Sequence, residues 1–359
     1  MSPINYSYSG IVRLAWERHK FMNSLDGYPA LVSLHGMARF AKFTKDDELM
    51  AEMHTFARNF LDGKVEKMSG AYGSKVYRFG GNFTAYLAAR GELSGSDIDV
   101  LVKSAELLCT THGRGPSGAF EHTKHPAFHW IDTVFGVCPF LLWTGQVANR
   151  QDFIDEACLQ MKTHHEILFD PKLKLYYQAI NADGKGKLTP AHWSRGVGWG
   201  VYALAEMLYD LPKEHPDYPA FLKMYNDVLE GCLATQRSDG MWCQAMESHE
   251  TYAESSGTGL IAYAMARGIK NGSLDKEKYQ APLLKALRAL ISYIAFDGSV
   301  FNCCCGCLAP GEGTVEDYAK HKWIMNDAHS FGPVILAFGE AQHLLPLGLV
   351  PPIEELIKL

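Results

Sequence analysis

No apolar run in the sequence approaches the roughly 20 residues that cross a bilayer. The N-terminal stretch MSPINYSYSGIVRLAW lacks a basic segment followed by an apolar one. Together these absences exclude a membrane partner. The expected location is cytoplasmic, or periplasmic or secreted for a chain whose signal peptide has been removed. A basic excess is also missing: 34 Lys and Arg stand against 40 Asp and Glu, for a net charge of -6. That disfavours nucleic acid and anionic membranes as partners, since both need a basic face. It leaves room for a small anionic ligand, because a single arginine can hold a carboxylate in a bidentate fork. The nine cysteines are odd in number and irregular in spacing, so a disulfide framework is not expected and a reducing compartment is the simpler reading. No linker or low-complexity segment divides residues 1–359, which therefore read as one domain.

What the sequence does have is 47% hydrophobic and 21% charged residues, enough for a large core. Strand-like alternation is scarce, and helical periodicity recurs. Residues 30–43 and 46–61 carry apolar residues at three- and four-residue spacing, the second with acidic residues in its first turn. Similar pairs follow at 82–90 with 96–109, 131–144 with 150–168, 196–210 with 217–236, and 255–270 with 277–295. A last helix near 329–344 has a candidate partner at 7–22. Each pair is too small to bury its own apolar face, so six pairs must stack in a ring. The expected fold is all-α, an (α/α)6 barrel. Connections within pairs are short; those between pairs are long and rich in Gly, His and aromatic residues. A pocket is expected on the face where the long loops gather.

Several constellations there could carry chemistry. In FHWIDTVFGVCPFLLWTG, Asp132 opens an apolar helix among Phe128, Trp130 and Phe135. A carboxylate at a helix start has a plain structural reading, the helix dipole. Among aromatics it is also partly desolvated, which suits a general acid. In AHWSRGVGWG, Trp193 and Trp199 can stack on sugar rings and Arg195 can grip a carboxylate; a cation-π pair within a tryptophan core is the structural alternative. His122 and His125 precede Asp132, but His-x-x-His without a further fixed ligand is a weak zinc signal. Glu254 reads as a helix cap before Ser255, and Trp242 and His249 as rim residues. The run VFNCCCGCL places Cys303, Cys304, Cys305 and Cys307 within five positions. Consecutive side chains diverge, and no second C-x-x-C pair completes a tetrahedral site, so small buried thiols at a pocket rim are expected rather than a metal.

Four segments in order, HWIDTVFGVCPFL, HWSRGVGWGVYALAEML, GMWCQAMESHETYAESSGTGLIAYAMARGI and NDAHSFGPVILAFGEA, resemble the unsaturated glucuronyl and rhamnogalacturonyl hydrolases of glycoside hydrolase families 88 and 105, the latter more closely. The resemblance covers about residues 25–345. It implies an (α/α)6 barrel and removal of a 4,5-unsaturated uronic acid from the non-reducing end of lyase-generated oligosaccharides. It implies Asp132 as general acid and base, with no cofactor and no metal. His122, Trp193, Arg195 and Trp199 match the family's substrate contacts, and Tyr28 matches an early aromatic. Two positions depart from the pattern. Gln178 stands where the family carries a histidine, and Asn82 or Arg78, near Tyr77, is the expected replacement for an acidic residue. The departures leave open action on a saturated uronide, or carbohydrate binding alone. The alternative of a different kind is a zinc-dependent toroid similar to the lanthionine cyclases, using Cys243 with the 303–307 cluster, although the Cys-His-Gly motif expected of it is missing. A monomer or homodimer is expected.

Overall fold

The computed structural model describes residues 6–65, 80–111, 113–122, 127–309 and 313–358. Two kinds of helix alternate along the chain. The first kind carries one apolar stripe. In α1 (Tyr8–Met22) the buried positions are Tyr8, Ile11, Val12, Ala15, Trp16 and His19. In α3 (Asp47–Leu61) they are Leu49, Met53, Ala57, Phe60 and Leu61, and Asp46 caps the helix by accepting from the Leu49 N–H. The other helices of this kind are α5 (Ser96–Thr111), α7 (Gln151–Leu168), α9 (Tyr218–Thr235) and α11 (Lys276–Ile291).

The second kind is buried on all sides. Every residue of α6 (Asp132–Ala148) from Asp132 to Gly145 is buried, as is every residue of α8 (Ser194–Asp210) from Ser194 to Leu208. The helix α10 (Ser255–Asn271) is buried from Ser255 to Ile269. A helix apolar all round belongs in a core. With α2 (Tyr28–Thr44), α4 (Gly81–Ala89) and α13 (Ala328–Leu344), these form a closed inner ring in the order α2, α4, α6, α8, α10, α13 and back to α2. The stripe helices form the outer layer: α3 on α2, α5 on α4 and α6, α7 on α6, α9 on α8, α11 on α10, and α1 on α13. The expected all-α toroid of six hairpins is what the chain forms, with α1 and α13 making the sixth pair.

Three differences from the sequence reading are local. The helix expected over 277–295 ends at Ile291, because Tyr293, Ile294 and Ala295 leave it to form a hairpin with Ser299, Val300 and Phe301. Two short helices were not anticipated, α12 (Val315–Lys320) and α14 (Ile353–Leu356). Four two-stranded antiparallel ladders also occur: β1 (His129–Trp130) with β4 (Ala179–Ile180), β2 (Phe169–Asp170) with β3 (Leu175–Tyr176), β5 (Trp242–Cys243) with β6 (Ala253–Glu254), and β7 (Cys303–Cys304) with β8 (Trp323–Ile324). All four lie in connections that lead from an outer helix to the next inner one. At the other end the connections are as short as residues 45–46 and 149–150. No helix among the described residues is long and apolar enough to cross a membrane.

Candidate active site

All six inner helices run the same way, so their N-termini share one face with the long loops. Tyr28 opens α2, Asn82 lies in the first turn of α4, Asp132 opens α6, Arg195 stands at the start of α8, Glu254 precedes α10, and His329 begins α13. Asp132 is 4% exposed. Gln178 donates from Nε2 to its Oδ1 at 2.8 Å. That contact is set by the β1–β4 ladder, which pairs Trp130 with Ala179, and by the Ile131 N–H bonding the Gln178 carbonyl at 3.0 Å. The Gln178 side chain fits because position 196 is glycine; a Cβ there would lie 2.0 Å from Oε1. The glycines of GVGWG thus serve close packing. His122 lies between Phe128 and Trp130, with ring centres at 4.7 and 4.8 Å.

Arg195 is buried. It rests over the Trp193 ring at 4.4 Å, and its Nη1 donates to the Cys304 carbonyl at 2.7 Å and to Ser256 Oγ at 3.1 Å. Burial works against the charge, but the surrounding groups, the Glu254 carboxylate among them, hold its pKa above the usual guanidinium value. Trp199 stacks on Phe135 at 4.2 Å. Trp193 and Trp199 are 2% and 1% exposed, so protein covers both indoles. Asn82 donates from Nδ2 to the Phe135 carbonyl at 2.7 Å, tying α4 to α6. Tyr77, Arg78 and His125 lie outside the described residues.

Glu254 does more than cap α10. Its carboxylate accepts from the N–H groups of Ser256, Gly257 and Cys304 at 3.1, 2.6 and 2.9 Å, and from the Ser194 hydroxyl at 3.2 Å. It therefore fixes α8, α10 and β7 together. The cysteines diverge as expected. Cys304 Sγ accepts from Trp193 Nε1 at 3.3 Å and Gln244 Nε2 at 3.0 Å. Cys303 Sγ lies 3.6 Å from Arg195 Nη1, and Cys305 Sγ lies 3.1 Å from His321 Nε2. Burial pushes the Cys303 and Cys304 thiols up, which keeps them protonated. Cys243 sits apart, 3.5 Å from Arg237 Nη1 and 3.9 Å from His249 Nδ1. Among the described residues, three metal-type donors gather only at Cys158, His215 and Asp217 in the outer layer. There Lys162 already holds both Asp217 oxygens, at 2.8 and 2.9 Å.

Sequence reasoning missed a relay on the same face. Tyr28 Oη lies 2.5 Å from His329 Nε2, and His329 Nδ1 lies 2.6 Å from Asp327 Oδ1. Burial, and after it Arg195, lowers the His329 pKa. Burial alone would raise the Asp327 carboxyl, but the hydrogen bond to His329 and its charge bring it below the usual value. The signal was present in NDAHSFG, an Asp-x-His at a helix start, but only ring closure brings it to Tyr28.

A helical toroid with a buried carboxyl, a guanidinium and aromatic rings at one mouth is the architecture of a class of glycoside hydrolases. Residues 11–345 match the model of Glycosyl Hydrolase Family 88, and the chain belongs to that family. It is 24% identical over 281 residues to the unsaturated rhamnogalacturonyl hydrolase YesR of Bacillus subtilis, covering 76% of this chain and 77% of that one. It is 30% identical over 181 residues to an unsaturated 3S-rhamnoglycuronyl hydrolase of Formosa agariphila, a match spanning 48% of each. In fold it is similar to a family 105 glycoside hydrolase of C. acetobutylicum, with a TM-score of 0.79 at 23% identity over 93% of this chain and 99% of that one.

Proposed function

We propose that the protein removes a 4,5-unsaturated uronic acid from the non-reducing end of an oligosaccharide, with Asp132 as the proton donor. The observation that carries this reading is the buried Asp132 carboxyl, held by the Gln178 amide on the face where Arg195 also lies. The names of the similar enzymes from Bacillus subtilis and Formosa agariphila support the substrate class.

The chemistry needs one carboxyl group. The C4=C5 bond of the substrate is a vinyl ether. Asp132 gives its proton to C4, leaving an oxocarbenium centre at C5. Water adds to C5 and returns a proton to the Asp132 carboxylate. The hemiketal opens to a ketone at C5, freeing the ring oxygen as a hydroxyl on C1. The hemiacetal at C1 then expels the next sugar as an alcohol. Gln178 serves by donating to Oδ1, which fixes the orientation of the carboxyl group that carries the proton. Arg195 supplies positive charge toward the substrate carboxylate, and the helix N-termini add to it.

Unsaturated uronides absorb in the ultraviolet and lose that absorbance on hydration. Purified protein should bleach at least one of a panel of lyase-generated disaccharides. Asp132→Asn should reduce the rate by 100-fold or more, in line with the roughly 10²–10⁴-fold contributed by general acid–base groups. A panel left unbleached by the wild type rejects the substrate class; full activity in Asp132→Asn rejects the acid.

A further inference from the structure

The opposite end of the toroid holds a cavity of about 450 Å³. It is built from the C-terminal halves of α2, α4, α8, α10 and α13. Arg39, Lys45, Arg90, Arg267 and Glu340 line it, and Tyr86 and Tyr209 supply aromatic wall.

Beneath the cavity three cations, Arg39, Arg267 and Lys270, meet two carboxylates, Glu206 and Glu340. The carboxylates are 0% and 2% exposed, and Arg267 is 1% exposed. Arg39 takes the best geometry, donating to Glu340 at 2.7 Å and lying 3.5 Å from Glu206. Arg267 is left with contacts of 3.4 Å to Glu206 and 4.0 Å to Glu340. Its Nε has no hydrogen-bond partner among the described residues, and its guanidinium lies 3.5 Å from the centre of the Tyr209 ring. His343 adds no charge near neutrality, because burial lowers its pKa to about 4. At the rim Arg90 is matched by Asp210 and Lys42 by Glu92, but Lys45 has no ion pair among the described residues. The site therefore carries one buried cation in excess and one more at its mouth. The carbonyl ends of the inner helices favour cations here, but they supply no acceptor for the free Arg267 N–H. A buried guanidinium with incomplete partners is costly, and an oxyanion completes it.

We propose that this cavity binds a small oxyanion, a carboxylate or a phosphate group, seated on Arg267 with Lys45 at the entrance and the body of the ligand against Tyr86 and Tyr209. The site uses none of the groups placed around Asp132 and stands whether or not that reading holds.

The test is calorimetric titration of the full-length protein with inorganic phosphate and, separately, with glucuronate. Arg267 is too buried to be the first variant. Gly339 lines the cavity, and a Cβ there would meet nothing nearer than Phe40 at 3.9 Å, so Gly339→Leu can fill the space without a backbone clash. Lys45→Glu reverses the rim charge. The wild type should bind at least one of the two anions, and each variant should weaken that binding tenfold or more while melting as the wild type does. Binding of phosphate alone points to a phosphate ester, and binding of glucuronate alone to a sugar acid; both support the site. If neither anion binds, or if binding survives unchanged in Gly339→Leu and Lys45→Glu, the proposal fails. Lys45→Glu decides the matter should Gly339→Leu lower the melting temperature.

Discussion

Gln178 lies in the connection that leads to α8 and Asp132 opens α6, so the 2.8 Å bond between them joins two positions 46 residues apart. A hydrogen bond to a charged group is worth about 1.5–3 kcal/mol. Gln178→Leu should therefore lower kcat by roughly 10- to 100-fold, with a smaller effect on KM, read from the same ultraviolet assay. Cys304→Ala removes the acceptor for both Trp193 and Gln244. It should cost about 1–3 kcal/mol in urea unfolding, and zinc content should not change. At this scale the sequence showed residue types but not all partners. Asp132 stood out as a carboxyl among aromatics at a helix start, and Arg195 and Trp193 as a guanidinium and an indole beside glycines at another. The Tyr28–His329–Asp327 relay did not, because Tyr28 lies 301 residues from His329 and meets it only across the closed ring. Nor could spacing reveal that Glu254 would gather donors from three elements.

The helices themselves were largely legible. Outer helices announce themselves by one apolar stripe, and inner ones by apolar residues on every face. The end of α11 was not legible, since Tyr293 and Ile294 continue the apolar periodicity while packing in a hairpin instead. The closeness of the inner helices was hidden as well. A Cβ at Gly259 of α10 would lie 2.7–2.9 Å from Pro333 of α13. Gly259→Ala should therefore destabilise by about 1–3 kcal/mol despite its better helix propensity, as overpacking does. Thermal unfolding would show it. His19 of α1 makes the converse case. It stacks on Phe331 at 4.7 Å, and neither ring nitrogen has a hydrogen-bond partner among the described residues. Burial first, and the nearby His329 second, lower its pKa to about 4 from 6.5. Between those values the unfolded chain binds the proton and the folded chain does not. Stability must then fall as pH falls from 6.5 toward 4, by roughly 3 kcal/mol from this group. His19→Phe keeps the stacking and removes the titration, so its melting temperature should depend less steeply on pH across that window.

For the whole molecule, the toroid was legible from the count and pairing of helices, and the split pair from the lone helices near each end of the resemblance. The seam where α1 packs on α13 brings Tyr8 beside Phe338, with ring centres at 6.2 Å. Five hairpins can form as soon as their second helix leaves the ribosome, but this one joins α1 to α13, about 300 residues further along the chain. Until then the apolar stripe of α1 and one side of α2 have no lasting cover. Rapid local folding therefore leaves an open horseshoe, and synthesis must run past residue 344 before the barrel can shut.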